Sequence, residues 1–327
     1  MRLRLCIVGC GSYARTVLND IHDLTDELEL YFASREIEKA KRYCDEFSGA
    51  GYFGSYREAF ADPRIDAVYC FTPHHLHLEN ALAAARGSKH ILMEKPIART
   101  VEESTEMIDA ARAAGVKLMV AENYRFLPTV EKCKQLLSQG SIGDLRLIQV
   151  QAEGFREPTE WRKSVESSGG GVLIDGGIHY VDILHHLGGF PQQVFAARPP
   201  QVHRSAEGED GIVFTAVFAG GAVGLINFSA ATVGEASQWV KVTGAKGQIG
   251  FAPYDSCLTI DTPPLRRTVN LPPARRGVRA MVREFRQAIL DDRDPAMSGE
   301  EGLRDLEIVL AAYRSAEEGV SVSPASR

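Results

Sequence analysis

Short apolar runs alternate with helical patterns along the first third of the chain. The apolar runs predict strands at residues 3–8, 28–33, 67–71, 90–93 and 116–121. Between them, apolar positions recur every three to four residues, which is typical of helices that bury one face. The predicted helices cover residues 13–24, 36–47, 76–85 and 100–114. Strands that are apolar throughout and separated by helices indicate βαβ units and a parallel sheet covered on both faces.

The pattern changes after about Asn123. Longer runs, several of alternating polarity, predict strands at residues 145–152, 211–218, 223–229, 239–243 and 248–251. They are typical of a largely antiparallel sheet with one face packed on helices. Helices are predicted at 130–137, 174–187, 279–290 and 302–317, and loops at 199–210 and 261–277. We therefore predict an α/β chain of two domains, 1–122 and 123–327, with the last helix as a candidate to pack back on the first domain.

The composition supports a two-domain globular protein. The chain has 327 residues, of which 44% are hydrophobic and 24% charged, the balance of an ordinary globular protein. Its formal charge of −6 gives no electrostatic reason to expect a nucleic acid or an anionic membrane as partner. No apolar run reaches the roughly 18–20 residues that span a bilayer. The six cysteines are scattered without a CxxC pair, which favours reduced thiols and a cytoplasmic location.

The first predicted strand ends in a G-x-G-x-x-A pattern at residues 9–14. Gly9 permits a tight turn, Gly11 lets backbone amides approach a pyrophosphate at the positive end of a helix, and Ala14 allows close packing. The pattern follows a strand and opens a helix, which is the context of a Rossmann dinucleotide-binding turn. The alternative is a glycine-rich turn that binds no ligand. The predicted cofactor-binding residues here are Gly9, Gly11, Ser12 and Tyr13.

The end of the second predicted strand bears on the choice between NAD and NADP. An acidic residue at this point would bind the ribose hydroxyls of NAD. The chain instead has Ala33-Ser34-Arg35. A hydroxyl and a guanidinium can bind a 2′-phosphate, and these positions offer no carboxylate to repel it. NADP is therefore favoured over NAD, although Glu36 follows directly and Arg35 is also explained as a solvated charge at a helix start.

Glu94-Lys95-Pro96 follows the predicted strand 90–93. Ligands of open α/β sheets bind at the carboxyl ends of the strands, which is where this tripeptide lies. Desolvation and the positive charge of an oxidised nicotinamide would both favour the neutral amine of Lys95, making it a candidate proton donor and acceptor. The alternative is a surface lysine in a strand-to-helix turn.

A second chemical cluster follows three glycines at residues 169–171. If a helix begins near Asp175, then Asp175 and His179 lie one turn apart on one face, and Asp182 extends that face. A carboxylate beside an imidazole can orient a hydroxyl and move its proton. The alternative for His179 is a hydrogen-bonded histidine of the core. The glycines indicate a close approach of the backbone to a ligand or to the other domain.

These residues resemble the glucose-fructose oxidoreductase/inositol dehydrogenase/MocA family over nearly the whole chain. The resemblance is carried by the glycine turn and by the stretches DPRIDAVYCFTPHHLH, MEKPIART, ENYRFLP, SIGDL, EWR, GGGVLIDGGIHYVD and AAYRSAEEG. EKP followed by GGGxLxDxGxHxxD is far more specific than the glycine turn. Members of this family depend on NAD(P) and have a Rossmann domain followed by an α/β domain whose open sheet often forms an oligomer interface.

The resemblance implies roles for residues at the matching positions. Lys95 is implied as the catalytic lysine, with Asp175 and His179 as its partners at the substrate. The implied cofactor-binding residues, besides those of the glycine turn, Ser34 and Arg35, are Thr72, Pro73, His77, Glu94, Lys95, Asn123 and Arg162. The implied substrate-binding residues are Tyr124, Arg125, Trp161, Asp175 and His179. A homodimer or homotetramer through the C-terminal sheet is also implied.

The prediction is an NAD(P)-dependent oxidoreductase that transfers a hydride between the nicotinamide and a carbinol or carbonyl carbon of a sugar, inositol or related cyclic polyol. Lys95 or His179 would serve as acid and base. One alternative is a dinucleotide-binding sensor without catalysis, and another is an enzyme for a non-sugar cyclic substrate such as a dihydrodiol. A metal site is a further alternative that the residue spacing does not favour, and its candidate ligands are His75, His77, Asp175, His179, His185 and His186.

Overall fold

The computed structural model describes residues 2–273 and 275–324. The chain divides into two compact units. The first unit contains the residues up to Ala121 and the segment Val278–Leu303, and the second contains Glu122–Gly277 and the residues from Arg304 onward. No helix within the described part of the chain is both long and apolar enough to cross a bilayer.

The first unit is built on a six-stranded parallel sheet. Its strands are β1 (Leu3–Val8), β2 (Leu28–Ala33), β3 (Gly51–Phe53), β4 (Ala67–Cys70), β5 (His90–Met93) and β6 (Leu118–Val120). They lie in the order β3-β2-β1-β4-β5-β6, and every pair is parallel. The strand order reverses between β1 and β4. Because the strands are parallel, the carboxyl ends of β1, β4 and β5 share one edge of the sheet. That edge is where open α/β sheets bind ligands.

Helices connect the strands and cover the sheet. Those between the strands of the first unit are α1 (Ser12–Ile21), α2 (Ile37–Glu46), α3 (Tyr56–Ala61), α4 (His77–Arg86) and α5 (Val101–Ala113). The later helices are α6 (Pro128–Ser138), α7 (Val165–Ser168), α8 (Ile178–Gly188), α9 (Val278–Leu290) and α10 (Gly299–Glu318). α9 belongs to the first unit. At the start of α5, Thr100 Oγ1 accepts from the Glu103 N–H at 3.2 Å, while the Glu103 carboxylate accepts from the Arg99 N–H.

The second unit contains an eight-stranded sheet. Its strands are β7 (Leu145–Glu153), β8 (Gln193–Ala197), β9 (Gly211–Val217), β10 (Val223–Ser229), β11 (Ser237–Gly244), β12 (Gln248–Phe251), β13 (Cys257–Thr262) and β14 (Leu265–Asn270). They lie in the order β14-β13-β12-β11-β7-β10-β9-β8. All pairs are antiparallel except β7 with β10. The predicted fold class is therefore confirmed: a Rossmann-type sheet is followed by an α/β unit with a largely antiparallel sheet.

Helix α8 packs on one face of this sheet. Phe214, Ile226, Val150 and Val240 stand in one row across four paired strands and are buried. α8 packs on β7 and β10. The contact is close, because a Cβ on Gly224 would lie 2.5 Å from Leu184 Cδ1.

Some elements do not follow from the hydrophobic pattern. β3, α3, β8 and β13 are not among the predicted elements. The predicted loop at 261–277 is wrong for Leu265–Asn270, which pairs with Cys257–Thr262 in an antiparallel hairpin. β14 lies at the edge of the sheet with nearly all of its side chains exposed, so its arginine-rich sequence carries no apolar alternation. Ala274, within the same predicted loop, lies outside the described residues.

Candidate active site

β1 ends in a turn that requires glycine at its first position. The φ angle of Gly9 is +97°, a left-handed conformation that other residues rarely adopt. A Cβ on Gly9 would also lie 3.1 Å from the backbone oxygen of Phe71, just beyond β4. The turn leads the chain directly into α1.

α1 offers an open N-terminus at the ligand-binding edge of the sheet. Its N-cap residue is Gly11, and among the described residues no side-chain cap closes it. A Cβ on Gly11 would meet no described atom within 4 Å. Ser12 and Tyr13 are exposed at the start of the helix. Free amides, the positive end of the helix and open space above Gly11 fit the pyrophosphate of a dinucleotide.

The end of β2 carries the hydroxyl and guanidinium that the sequence offers to a 2′-phosphate. Ser34 is buried, and its Oγ accepts from the Glu36 N–H at 3.2 Å. The Arg35 side chain is exposed near Tyr56. Burial raises the pKa of Tyr56, and the positive charge of Arg35 opposes that rise.

Lys39 supplies a further positive charge close to the glycine turn. Burial raises the pKa of the Cys10 thiol to about 12, and the charge of Lys39 acts against that rise. The ammonium group therefore acts on a thiol that lies at the end of β2 as well as in the glycine turn, since Cys10 Sγ donates to Ala33 O at 3.7 Å. Sequence reasoning missed Lys39. Its signal is a cationic residue four positions after Arg35, at the start of the helix that follows β2.

The loops after β4 and β5 hold several of the residues that the resemblance implies. Asn80 Nδ2 donates to Thr72 Oγ1 at 3.0 Å, and the Tyr69 hydroxyl donates to Glu94 Oε1 at 2.8 Å. Thr72 and Glu94 are both buried. Lys95 follows Glu94 and is half-buried, and the Lys95–Pro96 peptide bond is cis.

His77 connects the same two loops. Its Nε2 lies 2.9 Å from Thr72 O, and its Nδ1 lies 3.0 Å from Pro96 O and 3.2 Å from Ile97 O. The side chain is fully buried, and burial lowers its pKa. His77 therefore links the backbone of the loop after β4 to that of the loop after β5, and both loops carry predicted cofactor-binding residues. Its direct contact with a cofactor stays a prediction.

In the second unit, two of the three glycines, Gly170 and Gly171, approach other residues of the protein itself. A Cβ on Gly170 would lie 2.6 Å from the Tyr313 hydroxyl, and one on Gly171 would lie 2.2 Å from Glu209 O. The Tyr313 hydroxyl donates to Glu209 Oε1 at 3.0 Å and accepts from the Ile174 N–H at 3.1 Å. These contacts hold the segment that precedes α8.

Asp175 lies in a π-helical turn, Leu173–Gly177, that runs into α8. Arg162 Nε donates to Asp175 Oδ2 at 3.0 Å, and the Arg162 guanidinium lies 4.3 Å from the centre of the Trp161 ring. Beside this pair is a pocket with about 620 Å³ of space, part of it open to solvent. Besides Asp175 and Arg162, its lining residues include Arg156, Glu209, Asp210 and Phe228.

His179 occupies the first turn of α8 and is fixed at one edge and one face. Its Nδ1 lies 2.6 Å from Glu122 Oε1. The Tyr124 ring stacks on the imidazole, with 4.2 Å between centroids and an interplanar angle of 7°. Burial raises the pKa of Tyr124, so the ring is a neutral phenol. Sequence reasoning missed Glu122, whose only signal is its place at the start of ENYRFLP.

Two other residues of that stretch are turned into the interior. Arg125 and Asp182 form a buried ion pair in which Arg125 Nε donates to Asp182 Oδ1 at 2.9 Å. Asp182 therefore has a charged partner of its own, and its place beside Asp175 and His179 stays a prediction. Asn123 is buried and its Nδ2 donates to Arg276 O at 2.5 Å. Roles of Arg125 and Asn123 towards substrate or cofactor stay predictions.

Three of the candidate metal ligands, His77, His179 and His185, contact oxygen acceptors of the protein. His185 Nδ1 lies 2.8 Å from Asp305 Oδ1. Within the described ranges, no three His, Cys, Asp or Glu side chains are grouped so as to hold a metal ion.

The predicted site residues thus fall into two sets. The glycine turn, Ser34, Arg35, Thr72, Pro73, His77, Glu94 and Lys95 belong to the first unit, and Asn123, Tyr124, Arg125, Trp161, Arg162, Asp175 and His179 to the second. Convergence of Lys95 with Asp175 and His179 stays a prediction.

A Rossmann-type unit with an open helix N-terminus, followed by an α/β unit that holds a carboxylate and an imidazole, defines a nicotinamide-nucleotide oxidoreductase. Residues 3–122 match the oxidoreductase family described by its NAD-binding Rossmann fold, and residues 134–323 match the C-terminal alpha/beta domain of the same family. The chain belongs to this Gfo/Idh/MocA family, and it is an NAD(P)-dependent oxidoreductase.

Relatives match along most or all of the chain. It is 28% identical to scyllo-inositol 2-dehydrogenase (NADP(+)) IolW from Bacillus subtilis, over 97% of this chain and 94% of the relative. It is 32% identical to trans-1,2-dihydrobenzene-1,2-diol dehydrogenase from Mus musculus, over 62% of this chain and 59% of the relative. The structure of levoglucosan dehydrogenase in complex with NADH superposes with a TM-score of 0.92 at 25% identity, covering all of both chains.

Proposed function

We propose that this oxidoreductase transfers a hydride between the nicotinamide and a carbinol or carbonyl carbon of a sugar, inositol or related cyclic polyol. One observation carries the proposal. The continuous helical segment of the π turn and α8 holds Asp175 and His179 four residues apart, each fixed by a partner, Arg162 or Glu122. Neutral polyols suit such a pair because each hydroxyl can donate to a carboxylate or to the free nitrogen of an imidazole and accept from a guanidinium.

The residues of the chain supply positioning and proton handling. When bound, the nicotinamide exchanges the hydride at its C4. In the oxidative direction the carbinol hydroxyl gives its proton to Lys95 or His179 as the carbonyl forms, and Asp175 orients the hydroxyl. Either group is a candidate for the main transfer. The loops braced by His77 hold the backbone next to Lys95 in place.

The cofactor that we favour is NADP. Ser34 and Arg35 offer a hydroxyl and a guanidinium at the end of β2, and Lys39 adds a cation that sequence reasoning missed. β2 itself ends without the carboxylate that would bind the ribose hydroxyls of NAD. The backbone N–H of Glu36, the next acidic residue, donates to Ser34 Oγ.

We also propose a homodimer or homotetramer assembled through the open face of the eight-stranded sheet. One row of side chains across this face is formed by Val213, Asn227, Gln151 and Trp239. It lies on the face of the sheet opposite to the buried row. Val213 and Trp239 are 41% and 38% exposed although they are large and apolar. Exposed apolar side chains on a flat sheet are typical of an interface. A cytoplasmic location is part of the same proposal, since the described cysteines are free thiols.

A panel of polyols, inositols and keto-sugars tested against NAD and NADP examines the reaction directly, with absorbance at the reduced-nicotinamide band as the readout. Turnover of a member of the panel, with a lower KM for NADP than for NAD, is the expected result. A dihydrodiol belongs in the panel because the mouse relative is named for that substrate. Turnover of the dihydrodiol alone would move the substrate class from polyols to that alternative.

A further inference from the structure

Glu122 is a buried carboxylate that makes its side-chain contacts through one oxygen, Oε1. Its side chain is about 1% exposed, and Oε1 is shared between the Tyr124 N–H at 3.1 Å and His179 Nδ1 at 2.6 Å. Oε2 is buried, and among the described residues it has no hydrogen-bond partner. Burying a carboxylate is costly unless its partners compensate, so the contact with the imidazole carries much of that compensation.

The turn that begins at Glu122 holds the imidazole in two ways. The carboxylate caps the turn by accepting from the Tyr124 N–H, which fixes the position of Oε1. The ring of Tyr124, two residues on, lies flat against the imidazole and restricts its tilt. The same short turn therefore fixes both the edge and the face of His179.

We propose that Glu122 is the positioning residue that makes His179 a proton acceptor. Because a carboxylate oxygen can only accept, Nδ1 carries the proton of the contact, and in the neutral imidazole this leaves the lone pair on Nε2. A proton taken from a substrate hydroxyl then goes to Nε2, and the carboxylate stabilises the resulting imidazolium. In the reverse direction the same proton returns to the forming alkoxide. The proposal rests on the proposed function only for the identity of the proton donor.

A matched pair in the same unit serves as the control. His185 Nδ1 contacts Asp305 Oδ1 at 2.8 Å. The Asp305 side chain is as buried as that of Glu122, and the His185 side chain is more buried than that of His179. Neither residue of this second pair is assigned to substrate or cofactor in the proposed function. A purely structural role for a buried His–carboxylate contact would affect both pairs alike.

The first measurement needs no substrate. Full-length protein labelled with ¹⁵N-histidine is examined by long-range ¹H–¹⁵N correlation at alkaline pH, with the His179 signals assigned by their loss in His179→Gln. We expect the Nδ1–H tautomer with an unprotonated Nε2. An Nε2–H tautomer in the wild-type protein overturns the proposal, whether or not any polyol is turned over.

The second measurement compares kcat and KM in Glu122→Gln and Asp305→Asn with the best substrate of the panel. In Glu122→Gln we expect kcat to fall by about 10²–10⁴-fold, the range for a general acid or base, with KM and NADPH binding little changed. In Asp305→Asn we expect kcat near that of wild type. An unchanged kcat in Glu122→Gln, or equal losses in both variants, overturns the proposal while leaving the proposed function intact. If Glu122→Gln does not fold, the wild-type tautomer decides.

Discussion

Arg125 and Asp182 neutralise each other inside the second unit, where both side chains are almost fully excluded from solvent. Burial raises the pKa of Asp182 strongly, and Arg125 acts in the opposite direction. The pair ties the turn after β6 to α8, the helix that carries His179. The ion pair therefore helps to hold the helix that carries His179 in position.

Removing one member of this pair should destabilise the protein. In Arg125→Met the carboxyl of Asp182 loses its charged partner in the interior, so we expect a loss of about 3–5 kcal/mol in the free energy of unfolding. Urea unfolding followed by circular dichroism measures it. The control is Arg112→Met, which removes exposed pairs with Asp109 and Glu300 and should cost at most about 1 kcal/mol for each pair. Equal effects of the two substitutions would contradict the buried pair.

Glu209 gives a prediction for the pH dependence of stability. Burial raises its folded-state pKa above the ordinary value of 4.5. A raised pKa means that the stability contribution of Glu209 is fully present below the unfolded pKa and is lost as the pH rises through the folded pKa. Glu209→Gln removes this titration, and the amide oxygen can still accept from the Leu173 N–H.

The difference in unfolding free energy between wild type and Glu209→Gln should therefore shift in favour of the variant as the pH is raised from below 4.5. Urea unfolding of both proteins at a series of pH values provides the test. A difference that stays constant across this range, or one that moves in favour of the wild type, would contradict a raised pKa.

We expect cofactor preference to depend on two cations in the first unit, Arg35 and Lys39. Arg35→Ser and Lys39→Met each remove a charge that we assign to the 2′-phosphate, so the Kd of NADPH should rise by about tenfold or more, as expected from a lost charge-assisted contact of about 1.5–3 kcal/mol. The Kd of NADH should change little. Fluorescence titration of both nucleotides gives the ratio. A parallel loss of affinity for NADH would assign these side chains to general phosphate binding or to folding.

The fold was largely predictable where burial is uniform. β1, β2 and β5 have the bounds that the apolar runs predict, because strands covered on both faces leave a continuous apolar signal. The start of α5 was predictable because the Thr100 cap is a local pattern. β14 was not, since an exposed edge strand needs no apolar residues.

The site was predictable only where its functional residues lie close together in the sequence. Asp175 and His179 stand out because they share one segment behind three glycines. Glu122 lies 57 residues from His179, and its pairing depends on the path of the chain through the second unit. Lys39 is an ordinary helical lysine in the sequence, and only the field that it exerts at Cys10 relates it to the glycine turn.

The most direct test of the account is the effect of Lys95→Ala and His179→Ala on turnover of the best polyol in the panel. Both substitutions remove a group assigned to the transfer of the hydroxyl proton. We expect kcat to fall by about 10²–10⁴-fold while the Kd of NADPH stays close to that of wild type. Turnover at the wild-type rate in Lys95→Ala, with any substrate that the wild type oxidises or reduces, would contradict the assignment.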